Sequence, residues 1–174
     1  NVRRADGADY SVVVSNNAGS VISREATLLL PPDPNTGEVV FNNRITGVVD
    51  VRVILPDGAP AGAGWTAQLY GGPAAGALAP LFPVTRFRTA SDATLGYVEQ
   101  VVVSVTGVKP GENATLVMRV FNGSSFETST IGLESNPFTV VVGGGTLPPP
   151  NMDGLRSVTL VKSDLVKPFV ERLL

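Results

Sequence analysis

Apolar and polar positions alternate clearly at a spacing of two in two runs of this chain. In Val48–Leu55, the residues Val49, Val51, Val53 and Leu55 share one face, opposite Asp50 and Arg52. In Trp65–Tyr70, the residues Trp65, Ala67 and Leu69 oppose Thr66, Gln68 and Tyr70. Successive side chains of a strand point to opposite faces, so each run predicts a strand with one buried and one wetter face. Further β-rich runs are Glu38–Arg44, Thr85–Thr89, Tyr97–Val105, Ala114–Asn122, a weak run over Phe126–Ile131, and Phe138–Val142. Turn formers separate them: Pro56-Asp57-Gly58, Gly71-Gly72-Pro73, Lys109-Pro110-Gly111, Asn122-Gly123 and Asn136-Pro137. Short strands at regular spacing between Gly/Pro turns predict an all-β fold, with an antiparallel β-sandwich over residues 35–146 and little helix.

The flanks read differently. Asp9–Ser15 places Tyr10, Val12 and Val14 on one face, Asn16-Asn17-Ala18-Gly19 is a turn, and Ser20–Leu30 places Ala26, Leu28 and Leu30 on one face. This is a hairpin signal. Pro31-Pro32-Asp33-Pro34 then removes ladder donors and stiffens the backbone, so it reads as a linker closing off residues 1–31. Gly143-Gly144-Gly145-Thr146-Leu147-Pro148-Pro149-Pro150 reads as a second linker, flexible and then stiff. Residues 147–174 are expected to be linker and the start of a further segment. Within them Ser157–Lys162 is a strand candidate, and Ser163–Leu174 a short helix with Pro168 in its first turn. The chain opens on Asn1 and closes on Leu173-Leu174 with no capping signal, and is read as a piece of a longer protein.

Composition narrows the chemistry. Of 174 residues, 19 are Gly and 14 Pro, and only 16% are charged, against roughly 25% in an ordinary soluble domain. Cys and His are both absent. That excludes disulfides, a cysteine nucleophile, a Ser–His–Asp triad and zinc held by His or Cys. General acid–base work would fall to carboxylates, Lys or Tyr. The net charge is −2, and the basic residues, Lys109, Lys162 and Lys167 among them, are scattered rather than clustered. No nucleic-acid partner is therefore expected. No apolar stretch reaches the roughly 18 residues of a membrane span, so no span is expected in this segment.

One stretch carries a family resemblance. Asp6-Gly7-Ala8-Asp9-Tyr10-Ser11-Val12 matches the D-x-[AG]-x-Y-x-C pattern that leads into strand F of immunoglobulin-like domains, with Val12 where the family usually has Cys. Ser15-Asn16-Asn17-Ala18-Gly19-Ser20 looks like the F–G turn and Glu25-Ala26-Thr27-Leu28-Leu29-Leu30 like the last strand. Residues 1–31 thus resemble the last two strands of a cysteine-free immunoglobulin-like domain of bacterial surface proteins. The resemblance implies that Tyr10 is the tyrosine-corner residue and that Asp6 fixes the preceding turn. Residues 35–146 are similar in layout to β-sandwich modules found beside such arrays.

Each candidate site competes with a simpler role. Trp65, Tyr70 and Tyr97 are candidates for an aromatic sugar platform, but Trp65 sits on the apolar face and reads as core. Asp50, Asp57 and Asp92 are candidate calcium ligands. No calcium-loop spacing supports them, and Asp57 belongs to a turn. Glu99, Glu127 and Glu134 are candidates for a catalytic carboxylate pair, with solvated strand faces as the default. Gly143–Gly145 lacks the Lys and helix of a phosphate loop. Asn113-Ala114-Thr115 and Asn122-Gly123-Ser124 fit the glycosylation sequon but read as turn chemistry. No catalytic, cofactor-binding or metal residue is assigned, and no cofactor is expected. The leading expectation is a non-catalytic structural, spacer or adhesion segment of a multidomain bacterial protein, extracellular or at the cell surface. Its partners would be neighbouring domains of the same chain and surface glycans or proteins. The rivals are a carbohydrate-binding accessory module of a secreted hydrolase, and an enzyme fragment whose catalytic residues lie elsewhere.

Overall fold

A computed structural model of the chain describes residues 9–27 and 36–163. Asp6, Leu28, Leu30, the 31–34 proline run and the helix expected beyond Ser163 lie outside these residues. The chain divides into two compact units, Asn1–Pro32 and Asp33–Leu174. The strands of both pair antiparallel, and no α-helix occurs among the described residues.

In the first unit, β1 (Asp9–Tyr10) pairs with β4 (Ala26–Thr27), and β2 (Val13–Asn16) with β3 (Gly19–Ile22). The Asn16 carboxamide accepts from the Ala18 amide at 2.8 Å and closes the turn. The two ladders are separated by a bulge in which Ser11-Val12 face the three residues Ser23–Glu25. There the Ser23 hydroxyl accepts from the Val12 amide, and the Ser23 amide donates to the Val12 carbonyl. Val12 and Val14, on the face expected to point inward, are 63% and 68% exposed. On the opposite face Val13 and Ile22 are exposed as well.

In the second unit, β8 (Thr66–Gly72) and β12 (Asn113–Phe121) form the centre of the main sheet, in register from Thr66↔Phe121 to Gly72↔Thr115. On the far edge of β8 lie β9 (Ala79–Pro80) and β10 (Thr85–Arg86). The far edge of β12 is shared by β14 (Phe138–Val141) and β13 (Ile131–Ser135). Beyond β13 comes β15 (Val158–Ser163), with a register shift at Gly132/Leu133. The facing layer is built on β5 (Gly37–Phe41) paired with β11 (Val101–Val105), extended by β6 (Arg44–Ile45) and β7 (Val49–Asp50). Val39, Phe41, Val103 and Val105 of that layer share one buried core with Ala67, Leu69, Leu116, Met118 and Val120 of the main sheet. The all-β, sandwich-like architecture is the one the alternation predicts.

Several local expectations change. In Val48–Leu55 the expected face holds, with Val49 and Val53 buried and Asp50 and Arg52 exposed, but only Val49–Asp50 is strand. Both faces of β8 are covered, because Gln68 and Tyr70 are buried as fully as their neighbours. Phe126–Thr130 is not a strand; β13 starts at Ile131, and Phe126 instead folds back over the main sheet.

The segment from Gly143 to Pro150 is not a free linker. Gly143 exchanges backbone hydrogen bonds with Glu38, Gly144 exchanges them with Leu147, and the Pro150 carbonyl accepts from Val40 at 2.8 Å. A Cβ on Gly143 would lie 2.2 Å from the Pro148 carbonyl oxygen, so the glycine serves close backbone approach. Met152 and Leu155 then enter the core, and β15 completes the main sheet. Residues 147–163 therefore belong to the sandwich unit, because their carbonyls and apolar side chains find partners there.

Two measurements check this description. In hydrogen exchange, amides of 13–22 are expected to exchange much faster than those of 101–105 and 113–121, since few apolar contacts protect them. Slow exchange throughout 13–22 would show a buried ribbon instead. Met152→Ala or Leu155→Ala is expected to cost about 2–5 kcal/mol in urea unfolding, as for core truncations. A near-neutral result would return this segment to linker.

Candidate functional site

The richest cluster of ionisable and aromatic groups lies on the outer face of the main sheet. Strand alternation sets Tyr70 of β8 beside Val117 and Gln68 beside Arg119 on that face, and the β12–β13 register sets Arg119 beside Glu134. The connection from Asn122 to Thr130 lies across them. Ser125 and Thr128 bond to each other within it, and the Asn122 carboxamide accepts from the Ile131 amide. A Cβ on Gly132 would meet the Phe126 ring at 2.7 Å, so that glycine makes room for the ring. Phe126 packs edge-to-face with Tyr70 and with Phe121.

Arg119 organises the cluster. Its Nε donates to Glu134 Oε2 at 2.7 Å, and its Nη1 lies 4.0 Å from Glu127 Oε1. Its guanidinium carbon sits 4.1 Å from the Tyr70 ring centre and 4.6 Å from that of Phe126. The Tyr70 hydroxyl donates to Glu127 Oε1 at 2.8 Å, and Lys162 Nζ donates to the Phe126 and Glu127 carbonyls. Burial, then the Glu127 carboxylate, raises the Tyr70 phenol above its usual pKa. The same hydrogen bond lowers that of Glu127. Of the three glutamates considered from sequence, Glu127 and Glu134 are thus brought together, on either side of an arginine. Glu99 is elsewhere, its carbonyl accepting from Thr85. Arg119 and Phe126 carry no motif; only the strand register brings them into this cluster.

A second cluster gathers in the facing layer. The Tyr97 hydroxyl donates to Asp50 Oδ1 at 2.7 Å, which raises the Tyr97 phenol, and Arg44 lies over its ring at 4.6 Å. Arg44 donates to the Ala93 carbonyl, and Arg52 to those of Leu95 and Asp92. Two arginines thereby hold the 91–96 loop. Asp57 accepts from the Ala59 amide in its own turn. Asp50 and Asp57 therefore serve separate contacts, and Asp92 takes part through its backbone carbonyl. Among the described residues no group of three acidic side chains is placed to hold a metal ion.

The aromatic platform does not assemble. Tyr70 points to the outer face and Tyr97 to Asp50, while Trp65 is half-buried against the core rather than fully enclosed. Trp65 immediately precedes β8. With Leu55, Pro56, Asp57 and Ile131 it lines a cavity of about 200 Å³. Asn113 is exposed at the start of β12.

The Tyr70–Glu127 bond has a pH signature. The lowered Glu127 value makes its contribution complete above the unfolded carboxylate value of 4.5, and lost as pH falls through the lower folded value. The raised Tyr70 value makes its contribution complete below 10.0, and lost as pH rises through the higher folded value. Tyr70→Phe is therefore expected to cost about 1–2 kcal/mol near neutral pH. The gap to the parent should narrow below pH 4.5 in urea melts; a gap constant from acid to neutral pH would show that Glu127 does not receive this bond. No helix among the described residues is long and apolar enough to cross a membrane. Finally, no family model, curated protein or solved structure matches the chain.

Proposed function

We propose that the chain is a non-catalytic structural segment, spacer or adhesion, of a multidomain extracellular bacterial protein. The observation that carries this reading is how the ionisable candidates are used. Arg119 engages Glu134 and Glu127, Tyr70 engages Glu127, and Asp50 engages Tyr97, each contact holding a loop or neighbouring strand against a sheet. Glu127 and Asp50 stay open to solvent, but each is engaged by a tyrosine hydroxyl, and Arg119 lies between Glu127 and Glu134, a pattern of structural contacts.

The first unit supports the same reading from another side. Its two-stranded ribbon exposes Val12, Val14 and Val21 together with Val13 and Ile22, apolar surface of the kind that neighbouring strands cover in a larger domain. The resemblance of residues 1–31 to the last strands of an immunoglobulin-like domain, a fold in which other strands cover this face, supports the same reading. Neighbouring domains of the same protein are the partners this reading requires, and the cell surface is its setting.

A glycan array probed with the 174-residue chain tests it. A spacer retains no sugar above background. Selective retention of one sugar class, lost on Trp65→Ala with the fold intact, would replace this reading with a carbohydrate-binding accessory module.

A further inference from the structure

The 122–130 connection lies on the outer face of the main sheet in the way a bound peptide would. Its own amides turn inward, Ser129 donating to the Ser125 carbonyl and Thr128 to the Ser125 hydroxyl, and it meets the sheet through side chains. Gly123, Ser124, Glu127 and Thr128 are exposed, and Phe126 is its one large apolar side chain. Beneath it the sheet forms a shaped site. Gly132 leaves room for the Phe126 ring, Tyr70 and Phe121 meet that ring edge-on, and the Arg119 guanidinium lies over it. Beside this slot the Tyr70 hydroxyl and Arg119 Nη1 both face Glu127 Oε1, and Lys162 Nζ donates to the carbonyls of Phe126 and Glu127. Tyr70, Val117 and Phe121 are no more than 4% exposed, although they stand on a face that a sandwich normally leaves to water. The site is remote from Gly37. Glu38 bonds with Gly143 beside the start of β12, whereas Phe121 faces Gly132 at its other end, where Lys162 pairs one residue before β15 stops.

We propose that this face is a recognition site for a partner peptide in which an acidic residue directly follows an aromatic one, and that Phe126-Glu127 is its internal occupant, an autoinhibitory contact. Three observations select that chemistry. The slot takes a planar ring, with ring edges at its sides and a cation over it. The adjoining hydroxyl and guanidinium take a carboxylate: Arg119 Nε is engaged by Glu134, which leaves Nη1 turned to the ligand. Lys162 holds main-chain carbonyls of both residues, which a peptide carries and a sugar or free acid does not. Held at about millimolar effective concentration by its own chain, the internal copy keeps weak competitors out. The inference goes beyond the structural reading above. A peptide result and a glycan result are independent, so either can fail alone.

The test uses the full chain carrying Phe126→Ser and Glu127→Ser, which empties the slot and keeps Tyr70, Arg119, Gly132 and Lys162. The probe is the blocked peptide Ser-Ser-Phe-Glu-Thr-Ser, a copy of residues 124–129. In amide NMR titrations the probe is expected to saturate this variant and to move the signals of Tyr70, Arg119, Gly132 and Lys162 together. The parent is expected to bind it at least about tenfold more weakly, because the tethered copy competes. Adding Tyr70→Phe to the variant is expected to weaken binding about tenfold, and a probe with lysine in place of glutamate to give no response. If circular dichroism shows the double variant unfolded, Phe126→Ala alone opens the ring slot and carries the same titration. No saturable response in an opened variant that keeps its fold would overturn the proposal. So would equal binding by parent and variant, or equal binding of a probe with serine in place of phenylalanine, since either puts the probe elsewhere. Dimers of the opened variant that excess probe does not dissociate would overturn it as well, because they assign the face to a second copy of the chain.

Discussion

Asn43 is completely buried, and its carboxamide serves three backbone groups in two separate stretches. Its Nδ2 donates to the carbonyls of Val51 and Gly96 at 2.7 and 3.0 Å, and its Oδ1 accepts from the Val98 amide at 2.9 Å. Its own carbonyl accepts from Val51. The facing layer needs such a residue, because β6 and β7 are two residues long and the 51–61 and 94–98 stretches have few ladder partners. A buried backbone group left unpaired costs about 1–3 kcal/mol. One side chain answering several of them lets irregular backbone close over the core where a regular strand would otherwise be required. The positions of Asp50, Arg52 and Tyr97 follow from this closure, since each lies next in sequence to an Asn43 partner.

Arg119 plays the corresponding part on the other side of the sandwich. A sandwich normally leaves its outer faces to water, yet Tyr70, Val117 and Phe121 are buried there. The cover is the 122–130 connection, held through Phe126, Glu127 and the Lys162 ammonium of β15. Buried charge is tolerated because the guanidinium keeps a carboxylate partner and two ring faces while remaining partly solvated.

These two residues mark what a single sequence conceals. The faces of Val49, Val53, Ala67 and Leu69 are legible because period-two alternation reports directly on burial. The near-complete extent of β12 is legible because its β-rich run ends at the Asn122-Gly123 turn. Asn43 and Arg119 look like ordinary solvent-facing residues in a strand, and their roles depend on register with partners 53 and 15 residues away. Phe126 is strand-forming by type, although its ring packs from a loop. Gly143 and Pro150 carry linker composition, and only the approach of β5 turns their carbonyls into acceptors. The candidate glutamates are visible as residue types, while the arginine between two of them is not.

The placement of the chain's entry and exit in the sandwich has a mechanical consequence. Gly37 and Ser163 lie at opposite ends, so tension on the chain pulls along β5 and β15 and loads their hydrogen bonds in shear. β5 is anchored on both edges, by β11 on one side and by Gly143 and Pro150 on the other. β15 is held by β13 alone among the described strands, across a register shift at Gly132/Leu133. Force therefore meets its weaker attachment at β15. Sliding that strand away also withdraws Lys162 from the connection that covers Tyr70. Loss of the last strand and uncovering of the outer aromatic face are thus one event, a built-in order of yielding that begins at the carboxyl side.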